Sequence, residues 1–461
     1  MKNNNDIGVY GLGIMGKNIA LNIASKNFTV SVYNRNTNEK YDIVKDFIST
    51  ENTVNIQGFF NIREFVLSLK RPRKILIMVT SGSAVDEVIC QIMRHMDSDD
   101  IIIDGGNSNY LDTQERVERY NIRYLGCGIS GGWSGALNGP SMMLGGSNSA
   151  WLEVRNLFQE IASKRENQTA CCNWFGKGGS GHFIKMIHNG IEYAMMQSIA
   201  EAYDMLRKIS SMSNNDISLV FKKWNDKELN SYLMEVSSEV LLIKDKDDCL
   251  IDNIIDRSSQ KGTGIDFAIC SLKYGVSTPT IIEAINARFI SRSKYRKQMP
   301  SVHSYVKSEQ NSNNISKILF DSVFCCYVIA FFQGLSLIQR VSDVNSWGID
   351  LMEVASVWED GCIIKASIFK KLSEYLDTRS SIEVLLEGLK KSKIKNLSKI
   401  VNIAMINRVP APVFSSSLNY YHSIYAGSLP ANLIQLQREE FGSHGFEKVG
   451  HPGQMCHFIK R

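Results

Sequence analysis

Residues 7–16, IGVYGLGIMG, constrain the fold of this chain more than any other stretch. Four apolar residues read as a buried strand. Gly11, Gly13 and Gly16 follow in a G-x-G-x-x-G spacing, and a helix-like run opens on them. In that context the glycines give a tight turn, a close backbone approach to a pyrophosphate, and a helix N-terminus facing it. The stretch predicts a dinucleotide site at the start of a Rossmann-type unit. A second strand, TVSVY (29–33), ends at Asn34, Arg35 and Asn36. NAD-dependent proteins usually place a carboxylate there, on the ribose 2′-hydroxyl. A neutral residue followed by arginine suits a 2′-phosphate instead, because guanidinium pairs with the dianion through two hydrogen bonds. The predicted cofactor is NADP.

KILIMV (74–79), DIIID (100–104) and IRYLG (122–126) complete five predicted strands, separated by spans long enough for crossover helices. That pattern predicts a parallel sheet covered by helices on both faces. Near residue 180 the texture changes to long periodic apolar segments at 180–208, 215–244, 277–298, 315–341, 350–374 and 382–405. The predicted fold class is α/β followed by all-α. Residues 1–178 form the predicted dinucleotide-binding domain, 179–428 an all-helical domain, and 429–461 a tail too poor in apolar residues to fold on a core of its own. A polar stretch at 299–314 reads as a surface loop.

A chain of 461 residues exceeds one core and accommodates these domains. A net charge of +5 over that length is too weak to argue for nucleic acid. The N-terminus lacks the apolar run of a signal peptide, and no run of ~18 apolar residues predicts a membrane span. The ten cysteines show no metal-ligand spacing, so no metal is expected. They read as reduced thiols of a cytoplasmic protein.

Two glycine-rich stretches offer ligand contacts. In DGGNSNY (104–110) the paired glycines could bring backbone amides to a ligand, and Asn107 offers both a donor and an acceptor. GISGGWSGALNGPSMMLGG (128–146) reads as a loop in which Ser130, Gly131 and Gly132 present a hydroxyl and amides. A third stretch, GHFIKMIHNGIEYAMMQ (181–197), reads as a buried helix that nevertheless carries Lys185, His188, Asn189 and Glu192. At about 100° per residue, Lys185, Asn189 and Glu192 fall within roughly 60° of one another. Ile184, Ile187, Ile191 and Met195 take the other side. One stripe anchors the helix; the other presents an amine, an amide and a carboxyl side by side.

KMIHNGIEY (185–193), together with GLGIMG, DGGN, SGG, IIDRSSQKGTG (254–264), GCII (361–364) and LPANLIQLQREEFGSH (429–444), resembles decarboxylating 6-phosphogluconate dehydrogenase along essentially the whole chain. The resemblance implies NADP-dependent oxidative decarboxylation of 6-phosphogluconate to ribulose 5-phosphate and CO₂, in a homodimer whose tail reaches the neighbouring subunit. It implies that Lys185 is the base and then the cation polarising a keto oxygen, and that Glu192 is the acid. Asn189 would act with them. Asn107, Ser130, Gly131, Gly132 and His188 would orient the sugar acid, with Tyr193, Arg288, Arg438 and His444 as further substrate ligands. Asn107 would also meet the cofactor.

Three departures from the family pattern stand out. Ile265, Asp266 and Phe267 replace a Lys-Trp-Thr expected to help hold the substrate phosphate. Trp133 and Leu137 replace charged residues, and TSG (80–82) replaces a Lys-Ala-Gly type stretch near the cofactor. The first favours one alternative, a related dehydrogenase for another 3-hydroxy acid; a further alternative, a catalytically weak homologue with a binding role, is opposed by the paired Lys185 and Glu192.

Overall fold

The computed structural model describes residues 4–35, 42–51, 54–299, 312–369 and 382–458. Asn36 and most of the expected loop at 299–314 lie outside them. Residues up to Ser417 form one compact unit and Leu418 onward a second.

In the first unit, strands and helices alternate: β1 (Ile7–Tyr10), α1 (Ile14–Ser25), β2 (Val30–Tyr33), α2 (Ile43–Glu51), β3 (Ile56–Phe59), α3 (Ile62–Leu67), β4 (Lys74–Ile77), α4 (Ser83–Ile92), β5 (Ile101–Asp104), α5 (Tyr110–Arg119) and β6 (Arg123–Ser130). Then come α6 (Gly132–Asn138), β7 (Ser141–Gly146), α7 (Asn148–Ile161) and β8 (Cys172–Trp174). The sheet order is β3-β2-β1-β4-β5-β6-β7-β8. The five expected strands are present and parallel. β7 pairs antiparallel to β6, and β8 runs parallel to β7, so the expected parallel sheet is a mixed one. Separate apolar clusters fill the two faces, one under α1, α2 and α7 and the other under α3 and α4.

The glycine-rich stretch 128–146 is not a loop. It is the end of β6, a short helix and β7, and its glycines serve packing. A Cβ on Gly128 would sit 2.3 Å from Lys185 Cβ, and one on Gly145 would sit 2.3 Å from the Gly181 nitrogen. The helix carrying Lys185 therefore rests directly on the strands.

That helix, α8 (Ser180–Lys208), has 29 residues and spans about 43 Å. Helices α9 (Asn214–Asn225), α10 (Tyr232–Val240), α11 (Thr263–Lys273), α12 (Pro279–Arg292), α13 (Lys294–Gln298) and α14 (Ser312–Asn345) follow, with further helices at Leu351–Val357, Val384–Glu387, Lys391–Ile406 and Pro412–Ile424. The expected helix at 215–244 is two helices, because Ser231 leaves the helix and caps α10 with its hydroxyl on the Met234 N–H. The expected helix at 350–374 stops at Val357, ahead of Gly361 with a φ of +65°.

Asn314–Asn345 is long and apolar enough to cross a membrane by length and composition, contrary to the sequence expectation. Yet 83 % of its most apolar window is buried, which is the behaviour of a core helix.

The second unit holds a helix at Ala431–Gly442 and an antiparallel hairpin of Phe446–Lys448 and His451–Cys456. Buried Glu439 organises it, accepting from the Gly445 N–H at 2.6 Å and lying 3.1 Å from His457.

Candidate active site

The first two of the three glycines at the N-terminal turn are set in different ways. Gly11 takes a φ of +104°, and a Cβ there would lie 2.5 Å from the Met78 carbonyl oxygen. Around Gly13 a Cβ would meet nothing within 4 Å, so the backbone is open to a ligand. Gly13 caps α1 without any side-chain hydrogen bond, leaving first-turn N–H groups and the positive helix end for an anion. Asn34 braces the turn, its Oδ1 accepting from the Leu12 N–H at 2.9 Å. Arg35 is exposed and stands at a cavity of about 240 Å³ with Tyr10, Asn34 and Thr80. These features fit the pyrophosphate and 2′-phosphate of a dinucleotide.

The DGGN stretch works differently from its expected use. The Gly105 N–H is bonded to the Ile77 carbonyl and the Gly106 N–H to Asp104 Oδ1, so neither amide is offered to a ligand. Fully buried Asp104 instead clamps the loop, accepting from Ser108 at 2.6 Å and Tyr124 at 3.1 Å, with Arg116 at 3.5 Å. The clamp delivers Asn107 to the cleft.

That cleft is a cavity of about 400 Å³. Lys185, Asn189, Glu192 and Tyr193 from α8 form one wall. Asn107, Ser130, Gly131 and Gly132 line it from the sheet, and Arg288 from α12. Met15, one residue into α1, also lines it, so the cleft reaches the dinucleotide turn. His188 stands behind the wall, fully buried.

The hydrogen bonds around His188 run in one direction. The Ile363 N–H donates to Ser130 Oγ at 3.3 Å, and the Ser130 hydroxyl lies 2.9 Å from His188 Nε2. Asn189 Oδ1 can only accept, so its contact with His188 Nδ1 calls for the ring proton on Nδ1, which leaves Nε2 to accept from the Ser130 hydroxyl. Nδ1 then donates to Asn189 Oδ1 at 3.1 Å. Lys185 Nζ is 3.3 Å from that same Nδ1. An ammonium has no lone pair there to donate into, so this network favours the neutral amine.

Burial acts the same way. Lys185 is 6 % exposed, and desolvation pushes its proton affinity down against the opposing pull of Glu192 and Cys362. His188 is pushed well down by burial and then by Lys185. Burial pushes the Glu192 carboxyl up, opposed by Lys185 and Arg288. A base and an acid are thus held within one cleft, with His188 Nδ1 3.8 Å from Glu192 Oε2.

Among the residues missed by sequence reasoning that also line the cavity are Lys261, just before α11, and Thr263, its first residue. Of the departures at 265–267, Asp266 lines a small neighbouring cavity with Asn107, Lys185, Asn189 and Thr263, while the other two turn elsewhere. Ile265 is 40 % exposed and outside the cleft, and Phe267 is fully buried against Gly190. The expectation is corrected for Ile265 and Phe267, which do not line the cleft, whereas Lys261 and Arg288 do. Lys261 lies in the quoted SSQKGTG, but nothing in the spacing told it from a surface lysine. Arg288 stacks on Tyr193 at 3.6 Å from the ring centre, and its Nη1 donates to the Ser259 carbonyl at 3.1 Å. Arg438 and His444 are exposed in the second unit, and Arg438 bonds Gln435 at 3.2 Å. Trp133, on α6, is 64 % exposed.

A Rossmann-type sheet whose dinucleotide turn opens onto an amine–carboxyl cleft defines a nicotinamide-dependent dehydrogenase. Residues 6–176 match the NAD binding domain of 6-phosphogluconate dehydrogenase, and residues 181–459 its C-terminal domain. The chain is 40 % identical to the decarboxylating 6-phosphogluconate dehydrogenase of Staphylococcus epidermidis and 39 % identical to that of Staphylococcus aureus, over 97 % of each chain. The solved structure of Plasmodium falciparum 6-phosphogluconate dehydrogenase, known in apo form and with NADP⁺ or 6-phosphogluconate, superposes with a TM-score of 0.92 at 35 % identity, covering 99 % of this chain and all of that one. The chain belongs to the 6-phosphogluconate dehydrogenase family.

Proposed function

We propose that the chain oxidises 6-phosphogluconate with NADP and releases CO₂ and ribulose 5-phosphate. The observation that carries this is the placing of Lys185 and Glu192 on one wall of the cleft that Met15 joins to the dinucleotide turn. NADP, when bound, supplies the hydride acceptor. Lys185, as a neutral amine, takes the proton of the C3 hydroxyl as C3 gives up its hydride. The resulting ammonium polarises the new keto oxygen and passes it a proton as the C1–C2 bond breaks and CO₂ leaves, giving an enediol. Lys185 then recovers the enol proton as Glu192 delivers one to carbon, completing the ketone. Asn107, Ser130, Gly131, Gly132, His188 and Asn189 orient the carboxylate and hydroxyls. Tyr193, Lys261, Thr263 and Arg288 hold the phosphate.

The reading extends to a homodimer in which residues 429–461 reach the partner subunit and bring Arg438 and His444 to its substrate. Exposed Leu272, Phe289 and Ile290 on α11 and α12, and Leu433, Ile434 and Phe441 in the second unit, support burial against another copy. The ten cysteines are all unpaired, which supports a reducing, cytoplasmic setting. The organisation 1–178, 179–428 and 429–461 goes with this reading.

The test is NADPH formation and CO₂ release with 6-phosphogluconate, gluconate and simple 3-hydroxy acids. Matched NADPH and CO₂ are expected with 6-phosphogluconate, at a kcat/KM far above the rest. Equal turnover of an unphosphorylated acid, or NADPH without CO₂, overturns the assignment.

A further inference from the structure

The cavity beside Arg35 holds an acid that the cofactor reading leaves unused. Glu87, on α4, reaches across to Arg35, with Oε2 3.3 Å from Nη1. Both side chains are more than half exposed, at 61 % and 57 %, so the pair is weak and displaceable. Tyr10, Val79 and Val88 give the cavity apolar walls suited to adenine, while Asn34, Arg35, Thr80, Glu87 and Gln91 form its polar part.

We propose that Glu87 is a specificity-determining residue that weakens recognition of the 2′-phosphate and narrows the preference for NADP over NAD. The proposal rests on Arg35 being the 2′-phosphate ligand. A phosphate dianion arriving there must take the guanidinium from Glu87 and then sit beside a carboxylate of the same sign. A ribose 2′-hydroxyl meets no such penalty, since it can donate to that carboxylate, the usual mode for NAD. Thr80 contributes no compensating cation on the same side. Glu87 therefore penalises NADP twice, by competition and by repulsion, and leaves NAD untouched or assisted.

The experiment titrates the folded protein with NADPH and NADH by fluorescence, using wild type, Glu87→Gln and Arg35→Ala. Glu87→Gln keeps the side chain's size and removes its charge at an exposed position. Its NADPH Kd should fall roughly three- to tenfold, the scale of an exposed ion pair plus like-charge relief. Its NADH Kd should stay the same or rise. Arg35→Ala should weaken NADPH and leave NADH nearly unchanged. If Arg35→Ala weakens NADPH but Glu87→Gln leaves both constants alone, or tightens both equally, the role of Glu87 is refuted. If Arg35→Ala leaves NADPH unaffected, the 2′-phosphate assignment itself fails, and Glu87 with it.

Discussion

Replacing Lys185 by methionine separates chemistry from architecture. Methionine has nearly the length of lysine and no charge, and the site is 6 % exposed, so the stem still packs over Gly128. What is lost is the base and, later, the cation on the keto oxygen. A positioned base contributes about 10²–10⁴ in rate, and one donor to a developing oxyanion about 10²–10³. The two roles belong to one side chain and do not simply multiply, so turnover should fall on the order of 10⁴-fold and by no less than ~10². Stability should move the other way. Burying an amine is costly and burying a thioether is not, so the variant should be as stable as wild type or up to about 2 kcal/mol more stable. Glu192 supplies an internal check. Lys185 pulls its proton affinity down, so in the variant Glu192 should titrate at higher pH than in wild type. NADPH formation with 6-phosphogluconate, a urea melt and an NMR titration of the Glu192 carboxyl read the three consequences. Turnover within tenfold of wild type would falsify the base assignment. A lower melting midpoint would show that the amine was charged and paired in the resting protein, and a Glu192 titration left where it was would show that the two groups do not interact.

Three further substitutions probe other parts of the same helix and cleft. Lys261→Ala should raise KM for 6-phosphogluconate by about tenfold or more with kcat less affected, whereas Ile265→Lys should change neither; the opposite pattern in steady-state kinetics would return the phosphate contact to 265. Glu201, buried on α8, accepts from the Val413 and Phe414 N–H groups at 3.0 and 3.1 Å, and burial pushes its carboxyl up to about 7 from the ordinary 4.5. Because the folded value is the higher one, its contribution is complete below the unfolded value and fades as pH rises through 7. Wild type should therefore lose on the order of 3 kcal/mol relative to Glu201→Gln between pH 4.5 and 8, and parallel urea midpoints across that range would rule this out.

The parts of the fold that the sequence displays are those whose side chains announce their period. β4 and β5 are runs of Ile and Leu, β1 and β2 are rich in Ile, Val and Tyr, and the two-faced pattern of α8 places Lys185, Asn189 and Glu192 on one wall, as the structure does. β3 (IQGF) and β7 (SMMLGG) hide because glycine stands where β-branched residues would signal a strand. At Gly128 and Gly145 the cause is tertiary: a helix lies so close that no Cβ fits, and the partner is far along the chain. The same blindness misled the reading of Ile265 and Phe267. Which residues at the start of α11 face the cleft depends on how that helix is turned, and the turn is set by Phe267 seating against Gly190 on α8.

That packing also explains how a helix can bury an amine and a carboxyl together. If Lys185 and Glu192 were both charged, two ions would lie in a largely dry cleft, and their attraction would have to offset two desolvation penalties. Moving one proton from the amine to the carboxyl leaves the proton count unchanged and removes both charges. Burial pushes the two groups in the directions that favour this transfer, and the Ser130–His188–Asn189 chain presents a donor rather than an acceptor to Lys185. The neutral pair is also the one the reaction needs at its start: a base without a proton and an acid holding one. Pressing α8 onto glycines to exclude water therefore biases the pair toward the reactive protonation state, and a larger residue at Gly128 would disturb it by admitting solvent to Lys185 without touching a single substrate contact.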